Sequence, residues 1–170
     1  MQLSRYFGLV LLVLSASSAI AGAPALNESC RDRGGQRVVT VYDATRQYFA
    51  QALPMRRSEQ AAAMQRGLSP FVIYVNPSLY FLGRQTQQWL FFRQCVHIQQ
   101  GHRIVQDGVR ALNMRDEEQT DCLAARMMSA SSRTLYSIER DMERVLREKD
   151  GWNRVLPGPK RRIALSSCVK

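Results

Sequence analysis

Two histidines and the acidic cluster that follows them are the residues of this chain best suited to chemistry. His97 and His102 lie in the run Gln94-Cys95-Val96-His97-Ile98-Gln99-Gln100-Gly101-His102, and Glu117, Glu118 and Asp121 follow in Glu117-Glu118-Gln119-Thr120-Asp121-Cys122. Imidazole and carboxylate together form the donor set of a catalytic zinc site, where three side chains hold the metal and a fourth position stays open for water. A neighbouring carboxylate can then take that water's proton. The same residue types have a plainer use, because a buried histidine or carboxylate is often only a hydrogen-bonded structural group. His102 stands five positions after His97, about 140° around a continuous helix, so both imidazoles reach one centre only if Gly101 ends that helix.

The four cysteines, Cys30, Cys95, Cys122 and Cys168, do not follow a C-x-x-C redox or zinc spacing. Their even number suits two disulfides, for which three pairings exist. Cys30 and Cys168 lie toward the two ends, whereas Cys95 and Cys122 lie inside the polar cluster; this placement favours Cys30–Cys168 and Cys95–Cys122. Disulfides require an oxidising compartment, and residues 1–21 read as the matching address. Arg5 precedes the apolar run Tyr6–Leu14, and Ala19-Ile20-Ala21 fits the small-x-small cleavage rule. That run is shorter than the roughly 20 residues a membrane span needs. The expected organisation is a signal peptide over 1–21 and one domain over 22–170, with no membrane span after cleavage and a destination in the periplasm or outside the cell.

Several elements must position these residues. Arg37–Tyr42 and Pro70–Val75 are β-branched and read as strands. Ala44–Leu53 is expected to form a short helix that stops before Pro54. Ser58–Arg66 is a helix with Ser58 as N-cap and Gly67 as its stop. Gln85–Gln100 carries Trp89, Leu90, Phe92 and Val96 at helical spacing, so it is a buried helix bearing His97. Asp116 is expected to cap a second helix running to about Ala130. Ser132–Lys149 is an amphipathic helix, with Leu135, Ile138, Met142, Val145 and Leu146 on one stripe, and Gly151 ends it. Pro157-Gly158-Pro159 opens a short final helix toward Cys168. The fold class is α+β, a small strand region against a helical majority.

Composition bounds the remaining choices. At 170 residues one domain is the default. A content of 45% hydrophobic and 22% charged residues excludes a disordered, collagen-like or multi-span membrane chain. The formal charge of +10 comes almost wholly from 21 arginines against three lysines, scattered along the chain. Such a field attracts nucleic acid, anionic lipid headgroups or acidic polymers, although no nucleic-acid motif with interleaved aromatics is present. Trp89, Phe91 and Phe92 read as core, as do Met127 and Met128. Arg140, Arg144 and Arg147, alternating with Glu139, Glu143 and Glu148, read as a solvated helix face with i,i+4 pairs.

The ordered set of motifs resembles small exported bacterial zinc-metallopeptidase-like proteins of the gluzincin clan. Their pattern is a strand ending in Asn-Pro, then F-x-x-H-E-C-x-H-x-x-x-G-H, E-x-x-A-D-C, H-P-P-G-x-x-R and a terminal Cys. The matching stretches are Ile73–Pro77, Cys95-Val96-His97, Gly101-His102, Glu117–Cys122, Pro157–Arg161 and Cys168, covering about residues 37–168. The resemblance implies a metallopeptidase-like domain whose strands pack on the site helix, with His97 as the second zinc ligand and Glu117 as the third. It also implies a site lined by Asp121 and Arg161, and a Cys95–Cys122 tie between the two site helices, closing a loop of about 27 residues for about 3 kcal/mol.

The departures fall where the chemistry would be. Arg93 stands at the first His and Gln94 at the general-base Glu, while Val155-Leu156 replace His-Pro. Arginine cannot ligate zinc and repels it, and glutamine cannot act as a base at neutral pH. The expectation is therefore an inactive metallopeptidase-like protein (a pseudoenzyme) that binds an unidentified partner and holds no cofactor, with an ion pair between Arg93 and Glu117. The alternatives are a zinc peptidase with a rearranged site of His97, His102 and Glu117, in which Glu118 or Asp121 serves as base, and a basic module for anionic polymers or nucleic acid.

Overall fold

A computed structural model describes residues 29–78, 81–105, 108–109, 113–156 and 159–168. The expected signal peptide, and Pro157-Gly158 of the closing segment, lie outside the described residues. The element order is β1 Cys30–Arg31, β2 Arg37–Tyr42, β3 Ala50–Pro54, α1 Arg57–Gln65, β4 Leu68–Val75, α2 Arg84–Gln99, β5 Ile104–Val105, β6 Gly108–Val109, α3 Met114–Met127, α4 Ser132–Arg147, α5 Gly151–Val155 and a 3-10 turn over Leu165–Cys168. The molecule is α+β.

Four strands form one sheet in the order β1-β2-β4-β3, and β5 pairs with β6 in a separate antiparallel ribbon. The two longest strands, β2 and β4, run parallel, with β1 and β3 antiparallel at the edges. Alternation along β4 splits the sheet into two faces. Ile73 and Val75, opposite Ala52 and Ala50 of β3, join the main buried cluster around α2. Val72, opposite Leu53, is buried on the other face with Ala63 of α1. The alanines of β3 are small enough to let α2 lie close over the sheet.

The helix expected over Ala44–Leu53 is absent: residues 44–49 are turns and bends, and residues 50–54 form a strand. Ala-Gln-Ala-Leu has high helix propensity, but Ala50–Pro54 pairs along its length with β4, and Ala50, Gln51, Ala52 and Leu53 are all buried. Tertiary pairing overrides a weak local preference. Helix ends differ by small steps. The N-cap of α1 is Arg56, with no side-chain cap, so Ser58 lies inside the helix. The N-cap of α3 is Asn113, and Asp116 is the residue that it caps: Asp116 donates its backbone N–H to Asn113 Oδ1 at 2.9 Å. Asn113 returns a bond from Nδ2 to Asp116 Oδ2, a reciprocal arrangement that leaves fewer end groups unpaired.

Helix α4 buries Leu135, Ile138, Met142 and Val145, the expected stripe, and is capped by Ser131. It ends at Arg147, and Gly151 opens α5 rather than closing α4. A Cβ at Gly151 would run into the Val145 carbonyl oxygen and the Glu148 side chain, so this approach needs glycine. The basic row on α4 does not pair at i,i+4. Arg144 bonds Asp141, Arg162 reaches Glu143, and Glu139 accepts the backbone N–H of Ser166. These last contacts lay the C-terminal segment along α4. That segment has no regular structure over residues 159–164 and closes in a 3-10 turn, where a helix was expected.

Helix α2 is the centre of the molecule. Twelve of its residues are buried, from Thr86 to Ile98, including Trp89, Leu90, Phe91 and Phe92. Full burial of each large apolar side chain contributes roughly 1.5–3 kcal/mol. Because sheet, α3 and α4 surround it, α2 also buries the polar side chains Arg93, Gln94 and His97.

Among the described residues, no helix is long and apolar enough to cross a membrane.

Candidate functional site

Helices α2 and α3 run antiparallel, and the polar residues of α2 divide among three directions. Successive residues are about 100° apart, so Arg93, Gln94 and Cys95 point to different neighbours.

Arg93 faces α3. Its Nε donates to Asp121 Oδ1 and its Nη2 to Glu117 Oε2. The expected Arg93–Glu117 ion pair forms, with Arg93 fully buried and Glu117 nearly so. Asp121, one turn beyond Glu117, presents its other side to Arg161 of the C-terminal segment. Arg161 grips it as a fork: Nε to Oδ2 at 3.0 Å, Nη2 to Oδ1 at 2.9 Å and Nη2 to Oδ2 at 2.8 Å. The same Nη2 lies 3.0 Å from Glu117 Oε2, and Nη1 donates to the Pro159 carbonyl. Two guanidiniums and two carboxylates thus form a charge-neutral buried quartet joining α2, α3 and the C-terminal segment.

Tryptophans flank the quartet. Trp89 donates its indole N–H to the Asp121 backbone carbonyl at 3.2 Å and lies 5.9 Å from the Arg93 guanidinium. Trp152 of α5 lies 5.5 Å from the Arg161 guanidinium. Among the described residues, Arg93 Nη1 is the one buried side-chain nitrogen or oxygen without a hydrogen-bond partner.

Gln94, at the position of the base in the resemblance, faces the sheet. Its Oε1 accepts the backbone N–H of Ala52 at 3.0 Å, a donor that points away from β4. The side chain therefore covers an edge-strand amide that would otherwise be buried unpaired.

Cys95 faces β1. It is two residues, about 200°, from Arg93, so it points away from α3 and bonds Cys30. Cys122 bonds Cys168. The expected pairs Cys95–Cys122 and Cys30–Cys168 are thus both incorrect. Sequence position placed Cys95 and Cys122 in one polar cluster, but the helix turns their side chains to opposite neighbours.

The histidines come together at the end of α2. Gly101, at φ +69°, reverses the chain. The amide of His102 bonds the His97 carbonyl and that of Gly101 bonds the Ile98 carbonyl, the paired closure of a Schellman motif. This folds His102 back until its Nδ1 is 2.9 Å from His97 Nδ1, one ring donating to the other. Burial pushes His97 well below the ordinary histidine value of 6.5, with the charges of Arg93, His102 and Arg161 acting in the same direction. Burial lowers His102 as well, against the opposing pull of Asp116 and Glu117. Both shifts favour the neutral rings, which suits the hydrogen bond between them.

The donor set does not fit a zinc ion. Glu117 is held by two guanidiniums, His97 Nδ1 is engaged by His102, and the buried Arg93 cation beside them would repel a metal ion. Among the described residues, no three His, Cys, Asp or Glu side chains are grouped to hold a metal. A groove of about 380 Å³ runs between α3 and the C-terminal turn. It is lined by Arg115, Glu118, Gln119, Arg162 and Leu165 and floored by the Cys122–Cys168 bond. It touches Asp121 but none of Arg93, His97 and Glu117.

Sequence reasoning had Arg93, Gln94, His97, His102, Glu117, Asp121 and Arg161 in view. It missed that Arg161 binds Asp121 as a fork, that Gln94 serves β3, and that two tryptophans border the charges. Comparison with protein-family models, curated proteins and solved structures finds no match.

Proposed function

We propose that this chain is an exported, catalytically silent metallopeptidase-like protein whose counterpart of the metal site is a structural joint, and which acts by binding rather than cleavage. The observation that carries this reading is the buried quartet. Arg93 places a permanent cation where the resemblance would put a ligand, and its charge is balanced inside the fold by Glu117 and Asp121 with Arg161. A zinc ion there would have to displace two guanidiniums from a buried carboxylate. At the position of the motif's glutamate, Gln94 offers no carboxylate and is committed to the Ala52 amide. The two disulfides and the leader-like residues 1–21 support an exported protein.

The test is the metal content and zinc affinity of the oxidised protein, alongside His97→Ala and the double variant Arg93→His/Gln94→Glu. Wild type should hold no stoichiometric zinc, and chelator should leave its thermal midpoint unchanged. The double variant, which restores H-E-C-x-H beside Glu117, should gain zinc-dependent stabilisation. About one tightly held zinc per wild-type chain, lost in His97→Ala, would overturn the reading in favour of a rearranged site.

A further inference from the structure

We propose that the β1–β2 hairpin and the end of α2 form an exposed arginine face that docks on an anionic phospholipid surface. This does not depend on the silent-site reading.

Arg31, Arg33, Arg37 and Arg103 are all exposed, and three independent connections bring them to one end of the molecule. The Cys30–Cys95 disulfide fixes β1 against α2. Gln99 of α2 donates from Nε2 to the Arg31 carbonyl at 3.0 Å. Arg33 sets its Nη1 4.0 Å from where a Cβ on Gly101 would lie, two residues before Arg103. The C-terminal carbonyls of α2 favour cations at this end.

Arg31 and Arg37 are directly opposite each other in the β1–β2 pairing. Cross-strand neighbours of this kind sit about 4.5–5.5 Å apart at Cβ, and like charges there repel. Among the described residues, none of the four arginines forms an ion pair with a carboxylate. The only acid of the hairpin, Asp32, uses Oδ1 to accept the backbone N–H groups of Gly34 and Gln36, holding the turn. Covalent and hydrogen-bonded structure therefore holds together charges that repel, and an anionic partner relieves that repulsion.

Shape and composition select the partner. The tip, Arg33-Gly34-Gly35, is an exposed turn that lines neither described groove, so it suits a flat array of phosphates better than a threaded strand. Guanidinium groups match phosphate oxygens in pairs. The exposed aromatic of this hairpin, Tyr42, lies at the far end of β2, about 17 Å from Arg37 at strand rise. Single-stranded nucleic acid needs stacking partners beside the cations. The tip carries no apolar side chain, so docking is peripheral and screened by salt.

The test is co-sedimentation of the oxidised protein with phosphatidylglycerol/phosphatidylcholine vesicles and with pure phosphatidylcholine vesicles, at low and physiological salt. Two variants accompany it: Arg31, Arg33, Arg37 and Arg103 all changed to Gln, and Arg56, Arg57, Arg66 and Arg140 all changed to Gln as an equal charge loss elsewhere. All chains carry the same N-terminus, so any contribution of residues 1–28 cancels. Each patch arginine contributes about fivefold to partitioning at low salt. The first variant should thus lose at least about 100-fold, while the second keeps most of its binding and phosphatidylcholine alone binds neither. Circular dichroism should show the first variant folded, because its changes are exposed and relieve a repulsion. Absence of binding to anionic vesicles, an equal loss in both variants, or binding of soluble polyphosphate or single-stranded DNA through these arginines in preference to vesicles would overturn the proposal.

Discussion

Replacing Arg93 by methionine removes one of two guanidiniums from a quartet that is neutral only because it has both. Glu117 and Asp121 would remain buried with Arg161 alone, leaving one uncompensated negative charge. Two charge-assisted hydrogen bonds disappear as well, Arg93 Nε to Asp121 and Nη2 to Glu117, each worth about 1.5–3 kcal/mol. Breaking a buried pair by removing one partner costs about 3–5 kcal/mol, and the two figures agree. Adding Glu117→Gln restores neutrality by leaving the Arg161–Asp121 fork intact. The double variant should therefore lie well above the sum of the single losses, with a coupling energy of about 2–3 kcal/mol. Urea denaturation of wild type, both single variants and the double variant, with disulfides intact, measures this directly. A loss below about 1 kcal/mol for Arg93→Met, or strictly additive losses in the cycle, would refute the view that this quartet holds α2, α3 and the C-terminal segment together.

Gln94→Ala should cost about 1–3 kcal/mol by leaving the Ala52 amide buried without an acceptor, whereas Gln94→Glu keeps an acceptor oxygen there and should cost less in the same melts. Below about pH 6.5 the unfolded chain takes up a proton at His97 that the folded chain refuses, because burial, Arg93, His102 and Arg161 hold the folded value well below 6.5; stability should fall with acid by up to about 1.4 kcal/mol per pH unit in that range. His97→Gln should flatten that slope, and an unchanged slope would count against it. Peptide mapping without reduction should recover Cys30 linked to Cys95 and Cys122 linked to Cys168. Separations of 65 and 46 residues predict a loss of about 4 kcal/mol for removing either bond on the chain-entropy account.

How far the sequence revealed the structure depended on the range of the interaction concerned. Helix α2 and the α4 stripe were legible because apolar periodicity is local: Trp89 with Phe92, and Leu135 with Ile138 and Met142, mark their faces without reference to any partner. β3 was not, because Ala50–Leu53 is helical by propensity and becomes a strand only by pairing with Ile73 and Val75. The polar residues at the site could be named from their types, and Arg93 with Glu117 could be paired from a single exchange of residue. The disulfides failed because closeness in sequence to one polar cluster says nothing about the side of the helix on which Cys95 emerges. The fork of Arg161 on Asp121, 40 positions apart, needs the path of the C-terminal segment along α4, which no local pattern encodes.

The order of the two disulfides has a consequence for how the chain is made. They are neither nested nor crossed: the first cysteine bonds the second and the third bonds the fourth. A chain emerging from its N-terminus meets its native partner each time a new pair is complete. The first bond can close around the sheet and α2 before α3 has appeared, and the second forms wholly within residues 122–168. An oxidase joining cysteines in order of arrival would produce the native connectivity directly, with no bond to reshuffle. The covalent ties lie within the two successive halves and none crosses between them, so their final docking is left to the buried charges and the packing around α2.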